Sequence, residues 1–345
     1  MCLYHNSSSS TMAPQGFLFS RGSYASRLFR FHAPTCILAT WYASACVAFP
    51  SSLELSNVYR DIAERSNRLP RWPDSKKFCD DCLVYDDETK SYNLPTFDDG
   101  HGSLGIFSFL DRSNEARSIM KVCDNVFDQF CSEISNKILT LDSEQRSAMQ
   151  RWILQAPSHS HHISVAILQE HPCFLRDEKD LEKWKPIGED TIDHLAATLA
   201  RELPKSISQC PPILQLDSLV FTPDGALIAG FIDSSPDQSF QILRQVSREI
   251  AQDVLGDVLT TRPKNLIHAT IGRIVGLPPN ASDKQYQMLT ELAMEYNQVR
   301  LPRIVDSVRE ETSSGGVFNL QELSLARNIV WMLKEYKEYA SWMVQ

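Results

Sequence analysis

The sequence predicts an α+β fold built as two sheet-and-helix lobes. Three observations carry that reading. From about residue 101 onward, helical and strand periodicities alternate. The stretch LQLDSLVFTPDGALIAGFID, residues 214–233, reads as a hairpin: two apolar runs flank a Pro-Asp-Gly turn, which makes part of the sheet antiparallel. Two short strands with the same unusual polar pattern fall one in each half of that region, 106 residues apart. Mixed or antiparallel sheets, outer helices and a central cleft between pseudo-symmetric lobes fit all three.

The elements follow in order. GSLGIFSFL places a Gly-flanked strand near 104–110. The next helix carries Ile119, Val122, Val126, Phe127 and Phe130 at helical spacing. LDSEQRSAMQRWILQ, residues 141–155, predicts a second helix capped near Asp142 or Ser143. A strand over 161–168 follows, then a helix from 189 that ends before Pro204, then the hairpin. SFQILRQVSREIAQDVL is an amphipathic helix, 266–274 a second apolar strand, and Ser282 caps a further helix to about 298. FNLQELSLAR and NIVWMLKEYKEY close the chain as a pair of strands.

Three segments are expected. Residues 1–48 hold no Asp or Glu, three arginines and many serines, ending in the apolar ASACVAF. That combination describes a targeting leader, toward a plastid or mitochondrion or into the secretory route. ASACVAFPSS is similar to the cleavage region of plastid leaders in algae with secondary plastids; a disordered tail on a cytoplasmic protein is the alternative. Removal after Ala48 leaves 31 basic against 43 acidic residues. Residues 49–100 read as a loop-rich extension with one short helix near 53–66, and 101–345 as the main domain.

Composition sets limits. Of 345 residues, 43% are apolar and 22% charged, which describes a globular protein with a sizeable core. A net charge of −9 argues against an extended nucleic-acid surface, which needs clustered Lys and Arg. No stretch is long enough to span a bilayer, and a monomer is expected. The nine cysteines are odd in number and scattered, so they read as reduced. Cys79 and Cys82 have metal spacing without a second pair in register.

The pattern that carries chemistry is HISV at 162–165 and HATI at 268–271. On a strand, residues two apart share a face. His162 with Ser164, and His268 with Thr270, therefore turn one way, while Ile163, Val165, Ala269 and Ile271 turn the other. Continued alternation puts the small residues Ala166 and Gly272 next on the polar faces, leaving room for a ligand. Two imidazoles and two hydroxyls suit an in-line displacement at a phosphodiester. Histidine serves as general base or general acid near neutrality, and hydroxyls donate to non-bridging phosphoryl oxygens. Neither a cofactor nor a metal is called for. Lys264 and Arg273 beside the second motif are candidates for substrate contact.

Two H-x-[S/T]-apolar motifs in apolar strands resemble those of the two-histidine (2H) phosphoesterase superfamily, and the order of elements over 101–345 is similar. The resemblance implies a bilobed fold with His162 and His268 as the acid–base pair and Ser164 and Thr270 as phosphate-binding hydroxyls. It implies a substrate among cyclic phosphates, 2′–5′ linkages, nucleotides or RNA 3′ ends. A non-catalytic nucleotide-binding module and a 2′–5′ RNA ligase are the alternatives.

Other motifs read as structural. HSHH at 159–162, with His171, invites a metal, but on a regular strand His159 and His161 face away from His162. GHGSLG at 100–105 lacks the strand before it and the helix after it that a dinucleotide fingerprint needs. NAS at 280–282 reads as a helix cap, and EYKEYASW as strand and core packing.

Overall fold

Capped amphipathic helices and short apolar strands alternate along the chain. The structure, a computed structural model, describes residues 50–344 apart from 70, 74–82, 87, 89–90, 94, 98–100, 140–151, 173–174, 176–177, 207–210, 259–265 and 279. Residues 1–49, where a leader is expected, lie outside the described residues, as do Cys79, Cys82, Lys264 and most of the helix expected over 141–155.

Helix α1 (Ser52–Asn67) begins at a capping box: the Ser51 hydroxyl accepts from the Glu54 N–H while the Glu54 carboxylate accepts from the Ser51 N–H. A small antiparallel pair, β1 (Val84–Asp86) and β2 (Ser91–Asn93), follows. Then come β3 (Leu104–Phe109), α2 (Asn114–Glu133), β4 (Ile153–Gln155), β5 (His162–Gln169), α3 (Glu178–Lys183), α4 (Glu189–Ser206), β6 (Ile213–Phe221) and β7 (Ala226–Asp233). The chain closes with α5 (Ser239–Leu255), β8 (His268–Ile274), α6 (Asp283–Glu295), α7 (Leu301–Glu311), β9 (Val317–Asn319), β10 (Glu322–Val330) and β11 (Glu335–Met343).

The strands form two antiparallel sheets of order β11-β10-β3-β5 and β4-β8-β7-β6-β9. The fold is α+β. Strand β5 is the outer strand of the first sheet, and it runs beside β8 of the second. The two histidine strands thus meet where the sheets meet.

Several boundaries differ from the expected ones. Residues 153–155 form a strand, because the outer side of β8 otherwise presents unpaired N–H and C=O groups. Helix α4 carries Pro204 within its last turn. The helix from Ser282 continues through a wide turn at 296–300 into α7. Strand β10 runs on to Val330, and a tight turn with left-handed Met332 and Leu333 precedes β11. The GHGSLG segment turns into β3; a side chain on Gly102 would strike the Asn328 carbonyl, so only glycine lets β10 approach.

Most of the core is one large apolar cluster, and the extension contributes to it. Leu55 and Tyr59 of α1 are buried in it, and so is Trp72. The Trp72 ring packs edge-on against Phe130, at 6.0 Å, and Phe221, at 5.4 Å, and its indole N–H donates to the Thr222 carbonyl at 2.9 Å. Residues 49–345 form a single compact unit. Among the described residues, no helix is long and apolar enough to cross a membrane.

Candidate active site

Each motif opens its strand: His162 is the first residue of β5 and His268 the first of β8. The burial along the two strands has the same form. His162 and Ser164 are half-buried, and every other residue of β5 is buried. His268 and Thr270 are half-buried, and every other residue of β8 is buried. Only the imidazole and hydroxyl positions of each motif keep solvent access. A strand whose polar positions were sealed in the core would not show this.

Both strands then bulge at one matched position. In β5, Ser164 lies opposite Phe107 and Ala166 opposite Ile106, so Val165 is the extra residue. In β8, Thr270 lies opposite Ile228 and Gly272 opposite Leu227, so Ile271 is the extra residue. Each bulge falls on the apolar fourth residue of its motif. Bulges offset the alternation by one and re-aim side chains. This corrects the expectation for Ala166 and Gly272. Ala166 turns into the core, and Ile167 joins Phe107 and Phe109 on the other face. Gly272 is small for a different reason: a Cβ there would sit 2.4 Å from the buried Phe127 ring of α2.

The His162 ring is held by its surroundings. Its Nδ1–H donates to the Ser160 carbonyl at 2.7 Å, which assigns proton exchange to Nε2. Phe107 meets the ring edge-on at 5.1 Å, and Phe109, on which Tyr336 stacks, lies at 6.3 Å. Register places Phe109 directly opposite His162 and Phe107 opposite Ser164. The first motif therefore stands on an aromatic surface. The second is opposite Gly230 and Ile228.

One side chain ties the motifs together. Arg244 of α5 is buried. Its Nη2 donates to the Ser164 carbonyl at 3.0 Å and the Leu266 carbonyl at 2.6 Å, and its Nε donates to Val165 at 3.2 Å. Ser164 and Leu266 carbonyls bound to one nitrogen are no farther apart than those two bonds laid end to end. That brings the first motif close to the residues that lead into His268. Desolvation lowers the Arg244 guanidinium to about 10. The sequence carries a signal for it. Arg244 interrupts an apolar stripe of Phe240, Leu243, Ala251 and Leu255, where a charge requires a specific partner.

The other expected residues have different settings. Arg273 is buried and donates to the Asp224 carboxylate, at 2.6 Å, and the Asp224 carbonyl, at 2.8 Å, at the β6–β7 turn. Burial raises the Asp224 carboxyl, but Arg273 and Thr222 outweigh it and hold it below the ordinary range. The HSHH histidines separate: His159 Nε2 lies 3.3 Å from the Lys334 carbonyl, and His171 packs on Phe97. Among the described residues, no three His, Cys, Asp or Glu side chains come together to hold a metal. Ser282 caps α6 through a capping box with Gln285.

His161 turns away from His162 and is buried, with Nε2 3.3 Å from Asp124 Oδ1 at an angle that makes no hydrogen bond. Burial holds the ring down to about 4, whereas an unfolded histidine takes up its proton near about 6.5. Stability through His161 is therefore lost as pH falls from about 6.5 toward 4. Asp124 acts oppositely. Burial and then Asp128 raise its carboxyl from 3.8 to about 6, so the native state gains stability as pH falls through that range. Asp124→Asn removes the offset. Its urea midpoint is expected to fall more steeply than that of the wild type below about pH 6; parallel curves would contradict the assignment.

In sequence the chain matches no family profile and no curated protein. Among solved structures, it is similar to TT0787 of Thermus thermophilus, with 15% identity and a TM-score of 0.38 over 70% of this chain and 97% of that one. It is similar to a phosphoesterase at 12% identity and a TM-score of 0.34, over 70% and 98% of the two chains. It is also similar to E. coli LigT, solved with 3′-AMP, at 11% identity and a TM-score of 0.33 over 70% and 98%.

Proposed function

We propose that this chain is a two-histidine phosphoesterase that opens a cyclic phosphate or cleaves a small nucleotide or RNA-end phosphodiester. The observation that supports it most is the matched pattern in β5 and β8. Each strand exposes only its His and its hydroxyl, and each bulges at the next residue. Two such sets beside one another supply the groups an in-line displacement needs.

In this reaction one imidazole takes the proton of the attacking water while the other gives a proton to the departing ribose oxygen. The P–O bond to water forms as the bond to the ribose oxygen breaks, and the proton count balances between the two rings. Ser164 and Thr270 hydroxyls donate to the non-bridging oxygens, where charge accumulates. The Nδ1 bond of His162 to Ser160 suits either role, since it leaves one nitrogen for proton exchange.

The test is a panel of 2′,3′-cyclic nucleotides and 2′–5′ oligonucleotides assayed with chelator present. Hydrolysis under chelator supports the reading. Tight binding without turnover replaces it with a nucleotide-binding module, and joining of RNA fragments that bear a cyclic phosphate makes the chain a ligase. Ser164→Ala and Thr270→Ala are each expected to lower turnover on the order of 10² with the fold intact. Unchanged rates would remove the hydroxyls from the site.

A further inference from the structure

We infer that Arg244 and Tyr59 are positioning residues, a buried clamp that sets the two histidine strands relative to each other. This deepens the proposed function and rests on that reading.

The clamp begins with the bulge in β5. Consecutive carbonyls of a regular strand point to opposite edges. Arg244 nevertheless donates to both Ser164 and Val165. A guanidinium meets two successive carbonyls where the strand carries an extra residue, and Val165 is that residue. Because β5 is the outer strand of its sheet, no described strand pairs with these carbonyls on that side. The planar fork then reaches Leu266, two residues before His268. A lysine ammonium is a flexible point charge with no second nitrogen, so it has no counterpart to the Nε bond to Val165 and does not fix the strands with a rigid plane.

Tyr59 completes the clamp from the N-terminal helix α1. Its hydroxyl donates to the Ile267 carbonyl at 2.6 Å and accepts from the Ile267 N–H at 3.2 Å. Ile267 also pairs with β7, its carbonyl accepting from the Phe231 N–H at 2.8 Å, and the Tyr59 hydroxyl lies 3.1 Å from the Phe231 carbonyl, so it inserts between β7 and the residue immediately before His268. The ring sits against Gly230, the cross-strand neighbour of His268, where a Cβ would come within 2.7 Å of it. Tyr59 and Arg244 therefore hold Ile267 and Leu266 in turn. Residues on α1 and α5, neither carrying a histidine of the pair, fix where both motif strands begin.

The experiment uses the full chain with Tyr59→Phe and Arg244→Lys, assayed on a 2′,3′-cyclic nucleotide well below each variant's melting temperature. Misplacing an acid–base group by about 1 Å costs on the order of 10² in rate. Each variant is expected to lose roughly tenfold to a hundredfold in kcat with KM nearly unchanged, together with a displaced pH profile. Unchanged kcat and pH profile, with only the melting temperature lowered, overturn the clamp. Tyr59→Phe keeps the ring and decides the matter if Arg244→Lys does not fold. The clamp is also separable from the enzymatic reading. If the wild type turns over no phosphodiester, the nitrogen resonances of His162 and His268 are titrated by NMR. Displaced titrations in Tyr59→Phe then support the clamp, and superimposable ones reject it.

Discussion

Replacing His162 or His268 with alanine is expected to lower phosphodiester turnover by on the order of 10²–10⁴ each, with circular dichroism and melting temperature close to those of the wild type. Both parts of that expectation come from the same feature. The two rings are half-buried at strand starts, so removing either takes away a proposed proton carrier without opening a cavity in the core. The double variant is expected to be little worse than the more damaged single one. An acid without its base, or a base without its acid, leaves only the hydroxyls and binding to assist the reaction, and groups that act as a unit are non-additive. Steady-state rates of the two singles and the double check this. A double variant at wild-type rate would remove the histidines from the chemistry, and losses that multiply would show that the rings contribute independently and not as a unit.

Much of this site is legible in the residues themselves. The period-two pattern around His162 and His268 requires each ring to share a face with its hydroxyl, and both pairs do keep solvent access. What the pattern does not contain is the bulge. Val165 and Ile271 are ordinary β-branched strand residues, and nothing in their identity marks them as extra; only pairing with β3 and β7 does. Alternation carried past them therefore assigns Ala166 and Gly272 to the wrong face. Long-range polar partners are illegible for the same reason. Arg244 stands out as a charge on an apolar stripe, but its partners lie in two strands that only the tertiary fold brings near. Residues 153–155 illustrate context overriding local preference, since an unpaired edge of β8 recruits them as a strand from a helical pattern.

Trp72→Ala is expected to cost about 3–5 kcal/mol of stability, measured as a shift of the urea or thermal midpoint. The residue lies outside the region whose motifs suggest chemistry, in a Pro-rich stretch that reads as loop. Yet its side chain is fully buried, wedged between Phe130 of α2 and Phe221 of β6, and its backbone N–H donates to the Thr290 hydroxyl of α6 at 3.0 Å. Truncation removes an indole from between two packed elements. It also deprives the Thr222 carbonyl of the indole N–H. Since domains of this kind are held by only about 5–15 kcal/mol, a loss of that size takes up much of the margin. Trp72→Phe, which keeps an aromatic ring there but not the N–H, is expected to recover most of the difference and isolate the hydrogen bond, worth about 1 kcal/mol. The same packing predicts that a chain begun at His101, with the motif region complete, lacks Leu55, Tyr59 and Trp72 from its core and does not fold to the native state. A soluble, cooperatively melting fragment over 101–345 with full activity would show instead that α1 and Trp72 cover a core already sufficient without them.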